Sequence, residues 1–150
     1  MAVNTTTVAD VTGADLAVGQ IVAEQELHFT RDSLVRYAGA SGDFNPIHYR
    51  DDVAQSVGLA GVLAHGMLTM GAAVQPVVDW LGGDSGLISD YQVRFTRPVF
   101  VDLSDGATIT VVAKVGVLDD DGARIDVTVS CNGETVLGKA QVRVTLGATA

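Results

Sequence analysis

The segment GVLAHGMLTMGAAVQPVVDWLG, from Gly61 to Gly82, is the longest apolar run in the chain, and any fold has to cover it. A membrane helix needs about 20 consecutive apolar residues, but His65, Gln75, Pro76 and Asp79 interrupt this run. Its apolar residues fall on nearly every helical face, the pattern of a helix enclosed by protein. Pro76 is expected to kink or divide it, because an interior proline removes a backbone hydrogen bond.

What could enclose such a helix follows it. From Ile88 onward SDYQVRFTRPV, ATITVVAKVGVL, ARIDVTVSC and ETVLGKAQVRVTL are rich in Val, Ile and Thr and read as strands. Asp-Gly at 105–106 and 121–122 and Asn-Gly at 132–133 punctuate them as turns, the last two as tight hairpins. Ahead of the helix, QIVAEQELHFT reads as a strand ending near Phe29. Thr30 is placed to cap a short helix, RDSLVRYAGA, whose end is marked by Gly39 and Gly42. YRDDVAQSVGL reads as a second short helix, with Asp51 and Asp52 where the helix dipole favours acid. The expected architecture is α+β, an antiparallel sheet curled around one long central helix.

At 150 residues the chain can bury about 68–70% of the surface its unfolded form exposes, so one domain is expected over 10–150 behind a fraying N-terminus, 1–9. A net charge of -9 would repel nucleic acid and anionic membrane alike, and neither is an expected partner. One cysteine, Cys131, excludes an intrachain disulfide, and the N-terminus lacks the basic and apolar regions of a secretory signal. A cytoplasmic protein is expected.

The chemistry-bearing residues gather in SGDFNPIH, Ser41 to His48, just after the first helix. Pro46 fixes its own φ and pushes Asn45 out of the helical region, so the backbone between Asp43 and His48 must turn. Such a turn can bring a carboxylate and an imidazole to one side, as proton transfer near neutral pH requires. It can equally be a run of Asx turns with His48 capping the next helix, and spacing alone leaves both readings open.

AHGM follows, with Gly66 at the start of the apolar helix. First-turn amides have no intrahelical acceptor and could stabilise an oxyanion; taken alone, a glycine there is better read as serving close packing. His65 has apolar neighbours and reads as a structural histidine, and Met67 and Met70 as core filling. The three histidines, at 28, 48 and 65, have no metal-ligand spacing, and no serine sits in a nucleophile elbow. No metal or other cofactor is expected.

Taken together, YAGASGDFNPIHYRDDVAQSVGLAGVLAHGMLTMG and the later YQVRFTRPVF closely resemble the signature of the MaoC-like (R)-specific enoyl hydratases and dehydratases. Within that family the chain looks most like the HadB-type catalytic subunit of 3-hydroxyacyl-carrier-protein dehydratases. The resemblance implies a hotdog fold, a catalytic dyad of Asp43 and His48, and an oxyanion donor in the Gly66 amide, with Asn45 and Pro46 shaping the turn. It implies a lyase that interconverts (3R)-hydroxyacyl and trans-2-enoyl thioesters of acyl carrier protein or CoA. The same resemblance implies a dimer, with itself or with a related subunit lacking the dyad. Some relatives carry a serine in the central helix where this chain reads TMGAAVQ, with Val74 and no Ser.

An acidic chain that takes an acidic carrier needs a local basic rim, expected among Arg31, Arg50, Arg94 and Arg97. A thioesterase would place its carboxylates differently. A non-catalytic partner subunit or acyl-binding module would not need Asp43 and His48 intact.

Overall fold

The computed structural model describes residues 15–147; the expected fraying of 1–9 lies outside them. The elements run β1 (Ile21–Phe29), α1 (Arg31–Ser41), a 3-10 turn (Pro46–His48), α2 (Asp51–Ser56), α3 (Gly66–Trp80), a second 3-10 turn (Ser85–Leu87), β2 (Ile88–Phe95), β3 (Ala107–Asp119), β4 (Gly122–Cys131) and β5 (Glu134–Thr145). The strands form one five-stranded antiparallel sheet in the order β1-β3-β4-β5-β2.

Alternation sets the layers. Ile109, Val111, Ala113 and Val115 of β3 are buried, as are Ile125, Val127 and Val129 of β4, whereas Lys114 is exposed and Arg124 and Asp126 only partly covered. Each buried Val or Ile contributes roughly 1.5–3 kcal/mol by leaving water. Strict alternation fails in β5, where consecutive Val136 and Leu137 are both buried. The register against β4 and β2 slips there, and Lys139 takes a positive φ of 46°, the signature of bulging.

The hotdog arrangement expected from the sequence, a sheet curled around one long central helix, is not what the chain forms. The sheet is open, with β1 and β2 at its two edges. The apolar run does not start as helix: Ala64 N–H donates to Val99 C=O (2.8 Å), Val101 N–H to Val62 C=O (2.9 Å), and Leu63 bridges Phe100. Residues 62–64 are therefore extended, and α3 keeps 15 residues, about 22 Å at 1.5 Å per residue.

Nor is α3 enclosed. Thr69, Ala73, Pro76 and Val77 face inward, mostly toward β1, while Met67, Gly71, Gln75 and Asp79 form an exposed stripe. Met67 is thus surface rather than core filling. The helix is continuous through Pro76, and no division occurs there.

Other boundaries follow local chemistry. Thr30 caps α1 through a reciprocal box with Ser33, and Gly42 closes it at φ 77°, so the helix runs through Gly39. β2 stops at Phe95 rather than Val99 because the Thr96 and Arg97 amides turn to the Val136 carbonyl, ahead of Pro98. Asn132-Gly133 forms the expected hairpin turn, both residues at positive φ. In the β3–β4 hairpin Asp119 pairs directly with Gly122, so the loop is Asp120-Asp121 and Gly122 opens β4 at φ 149°. A Cβ on Gly122 would collide with the Val144 carbonyl oxygen.

The helical layer is tied to the chain around the site by Arg31. Its Nε donates to the Val101 carbonyl (2.5 Å) and its two terminal nitrogens to Asp51 (3.1 and 3.0 Å). Asp51 Oδ1 also accepts from the Val62 amide (3.0 Å). The Arg31 guanidinium, then the Val62 amide, hold the Asp51 carboxyl below its ordinary range.

Two expectations follow. A group with a depressed folded pKa contributes stability above its unfolded value, about 3.9 for Asp, and loses it as pH falls through the folded one. Thermal melts of Asp51→Asn should therefore lie below the parent at neutral pH and converge with it in acid. Gly122→Ala should lower stability by more than about 1 kcal/mol in urea unfolding, since both its positive φ and the Val144 carbonyl oppose a side chain.

Candidate active site

Residues 41–48 are a chain of side-chain-closed turns. Ser41 Oγ accepts from the Asp43 amide, Asp43 Oδ1 from the Asn45 amide and Asn45 Oδ1 from the Ile47 amide, each at 3.2 Å. Asn45 is extended, as the residue before proline must be, and Pro46 opens the 3-10 turn that delivers His48. The Asx turns are real, and they end by burying an imidazole, with His48 8% exposed. His48 does not cap α2; that helix has no side-chain cap.

His48 Nδ1 lies 2.7 Å from the Leu63 carbonyl oxygen. A carbonyl can only accept, so Nδ1 carries a proton, and in the neutral ring the lone pair is on Nε2. Leu63 is a firm anchor: its own amide donates to Ile47 C=O (3.4 Å), and its neighbours bond to Val99 and Val101.

The structure brings in a residue the sequence reading set aside. The His65 ring stacks on His48 with centroids 3.8 Å apart and planes inclined by 22°, and the Tyr37 ring lies 4.8 Å away on α1. His65 Nε2–H donates to the backbone carbonyl of Asp43 (3.1 Å). Burial pushes the His65 imidazole below the ordinary histidine range, outweighing its bond to the Asp43 carbonyl; the neighbouring His48 also lowers it and the Asp43 carboxylate opposes.

One carboxylate oxygen of Asp43 and one ring nitrogen each of His48 and His65 lie within 4.8 Å of one another. Three such donors invite a metal. Histidine ligates through an in-plane lone pair at about 2.0–2.1 Å, and two near-parallel rings 3.8 Å apart do not aim theirs at one point. The arrangement suits proton transfer better than coordination.

Gly66 is the first residue of α3, a helix whose N-terminus has no side-chain cap, so its amide has no intrahelical acceptor. A Cβ there would meet the Phe95 ring at 3.0 Å. Packing and donor access therefore both favour glycine. Beside it opens a cavity of about 280 Å³ whose walls include His48, Gly66, Thr69, Phe95, Arg97 and Leu137. Asp43 is exposed and joins the cluster from outside those walls.

The arginines scatter. Arg31 is committed to Asp51 and Val101, Arg50 pairs with Asp52, and Arg94 is exposed on β2. Arg97 alone of the four lines the cavity, donating to Thr135 C=O (3.0 Å) with Glu134 at 3.8 Å. Sequence reasoning missed Thr69, Phe95 and Leu137. Thr69 could have been found, since three residues beyond Gly66 it must share that helical face; the other two depend on how β2 and β5 are registered.

With the geometry in place, comparison with known proteins becomes informative. A family model described as "MaoC like domain" matches residues 15–136. The chain is 38% identical over 80 residues to the 3-hydroxyacyl-thioester dehydratase X of Mycobacterium tuberculosis, covering 53% of this chain and 27% of that protein. It is 27% identical over 103 residues to the (R)-specific enoyl-CoA hydratase of Rhodospirillum rubrum, covering 69% and 67%. A solved structure titled MaoC-like dehydratase superposes with a TM-score of 0.87 at 35% identity over 91% of this chain and 42% of the other. The chain thus spans about a quarter of the mycobacterial dehydratase and less than half of that solved chain, and these relatives do not set a HadB type apart. Among the described residues no helix is long and apolar enough to cross a membrane. The chain belongs to the MaoC-like domain family.

Proposed function

We propose that the chain is a lyase that interconverts (3R)-hydroxyacyl and trans-2-enoyl thioesters of CoA or acyl carrier protein, the HadB-type reaction among its possible settings. The observation that carries this reading is His48, held in one tautomer by Leu63 with the Asp43 carboxylate beside it, at a cavity that begins at the Gly66 end of α3.

The chemistry follows from those positions. Adding water across a C2–C3 double bond conjugated to a thioester moves negative charge onto the thioester oxygen, and dehydration passes through the same state in reverse. The Gly66 amide donates to that oxygen; losing such a donor typically costs roughly 10²–10³ in rate. Asp43 and His48 hold one water between them. Its oxygen bonds to C3, its proton passes to the pair, and a proton passes from the pair to C2. The apolar walls supplied by Phe95, Val136 and Leu137 receive the acyl chain and keep other water out.

Arg97 is the residue best placed to meet a carrier's phosphate, and the other three arginines are not part of this reading. The dimer we propose, with a second copy or a related subunit, uses the β2 edge, where Phe95 is 52% exposed beside Gly66.

The test assays the purified chain, alone and with any co-purifying partner, on enoyl thioesters of several lengths. Asp43→Asn and His48→Ala should each lower kcat by about 10²–10⁴, with circular dichroism unchanged. Full turnover in both variants would refute the mechanism. Arg97→Ala should raise KM for carrier-bound substrate more than for a short truncated thioester, and equal KM values would remove Arg97 from substrate recognition.

A further inference from the structure

His65 is more elaborately held than a residue preceding a helix requires. It is 1% exposed, packed between Tyr37 of α1 and His48 of the 3-10 turn, with its Nε2–H spent on the Asp43 backbone carbonyl. Its Nδ1 is buried and has no hydrogen-bond partner among the described residues. Buried acceptors are rarely left unmet, and one that is needs a reason. Here the ring cannot turn to satisfy Nδ1 without giving up the stack on His48 or the bond to Asp43.

The same geometry opposes a charge. A proton on Nδ1 would find no acceptor, in a desolvated position, across 3.8 Å from the His48 ring. Of the titratable groups facing it, the Asp43 carboxylate favours the cation and His48 opposes it, while the Tyr37 ring packs against its other side. The geometry therefore favours the uncharged Nε2–H imidazole.

We propose that His65 is a positioning residue: a neutral ring that fixes the plane of His48 and the backbone of Asp43 at once, so that both reach one water. Each contact has one job. The stack keeps His48 Nδ1 on the Leu63 carbonyl and its Nε2 toward the cavity, and the hydrogen bond stops the Asp43 turn from drifting away. The catalytic consequence rests on the hydratase reading above, but the control of His48 does not.

The experiment pairs histidine-¹⁵N NMR of the full chain with the hydration assay, for the parent, His65→Phe, which keeps a stacking ring and loses the donor, and His65→Gln, which keeps a donor and loses the ring. In the parent, His65 should remain neutral through about pH 6.5, where an ordinary histidine takes up its proton, and His48 should show the Nδ1–H tautomer alone. In His65→Gln, which loses the stack, His48 should become a mixture of tautomers, whereas in His65→Phe the tautomer should hold; in both variants kcat should fall roughly 10–100-fold, KM changing less, while the folded fraction stays constant. A parent His65 that titrates normally overturns the proposal. So does an unchanged His48 tautomer in folded His65→Gln, whatever happens to its rate. If the parent shows no hydration at all, the functional reading fails, and the NMR result alone decides the role of His65.

Discussion

The Leu63 carbonyl is the atom on which the site depends. It accepts from His48 Nδ1, and so decides which ring nitrogen is a donor and which an acceptor. A carbonyl can do this only if it does not move. Residues 62–64 are held from three sides: by Val99 and Val101 through the backbone, by Ile47 through the Leu63 amide, and by Asp51 through the Val62 amide. Asp51 is in turn gripped by Arg31, which also reaches the Val101 carbonyl. The net of short bonds joins α1, α2 and both strand-like segments, and the site hangs from its centre.

That net also explains the shape of the helical layer. Had Gly61 to His65 been helical, α3 would have been longer, but Leu63 would have spent its carbonyl inside the helix and His48 would have lost its partner. Starting α3 at Gly66 frees the first-turn amides beside the cavity. The shorter helix and the extended approach to it serve the same end.

Much of this could be read from the sequence, and the boundary between what could and could not is physical. Local chemistry was legible: the Thr30 cap, the Gly42 stop, the Asn132-Gly133 turn and the extended Asn45 before Pro46 each depend on neighbours within a few residues. The openness of the sheet was not, because strand propensity in Val- and Ile-rich segments says nothing of closure. Hydropathy also hid the extended start of the apolar run, since Val62, Leu63 and Ala64 suit a buried strand as well as a buried helix. Among the candidate site residues, Asp43, His48 and Gly66 lie in short motifs and could be named from the sequence. His65, adjacent to Gly66, was seen and assigned to structure, because its partners Asp43 and His48 are far from it along the chain.

SGDFNPIH folds as a run of turns, and the proton-transfer reading we propose for it rests on the same hydrogen bonds. Asp43 closes the first Asx turn with Oδ1, which fixes its χ angles and leaves its second oxygen uncommitted by that bond. Asn45 closes the next and sets the approach to Pro46. A carboxylate that must meet an imidazole to within hydrogen-bonding distance of one water needs a backbone with little freedom, and freedom is what consecutive side-chain-closed turns remove. In the proposed reaction a flexible loop would lose that ordering entropy at each turnover; this one loses it on folding. Turn chemistry is thus the means by which eight residues can hold a reactive geometry.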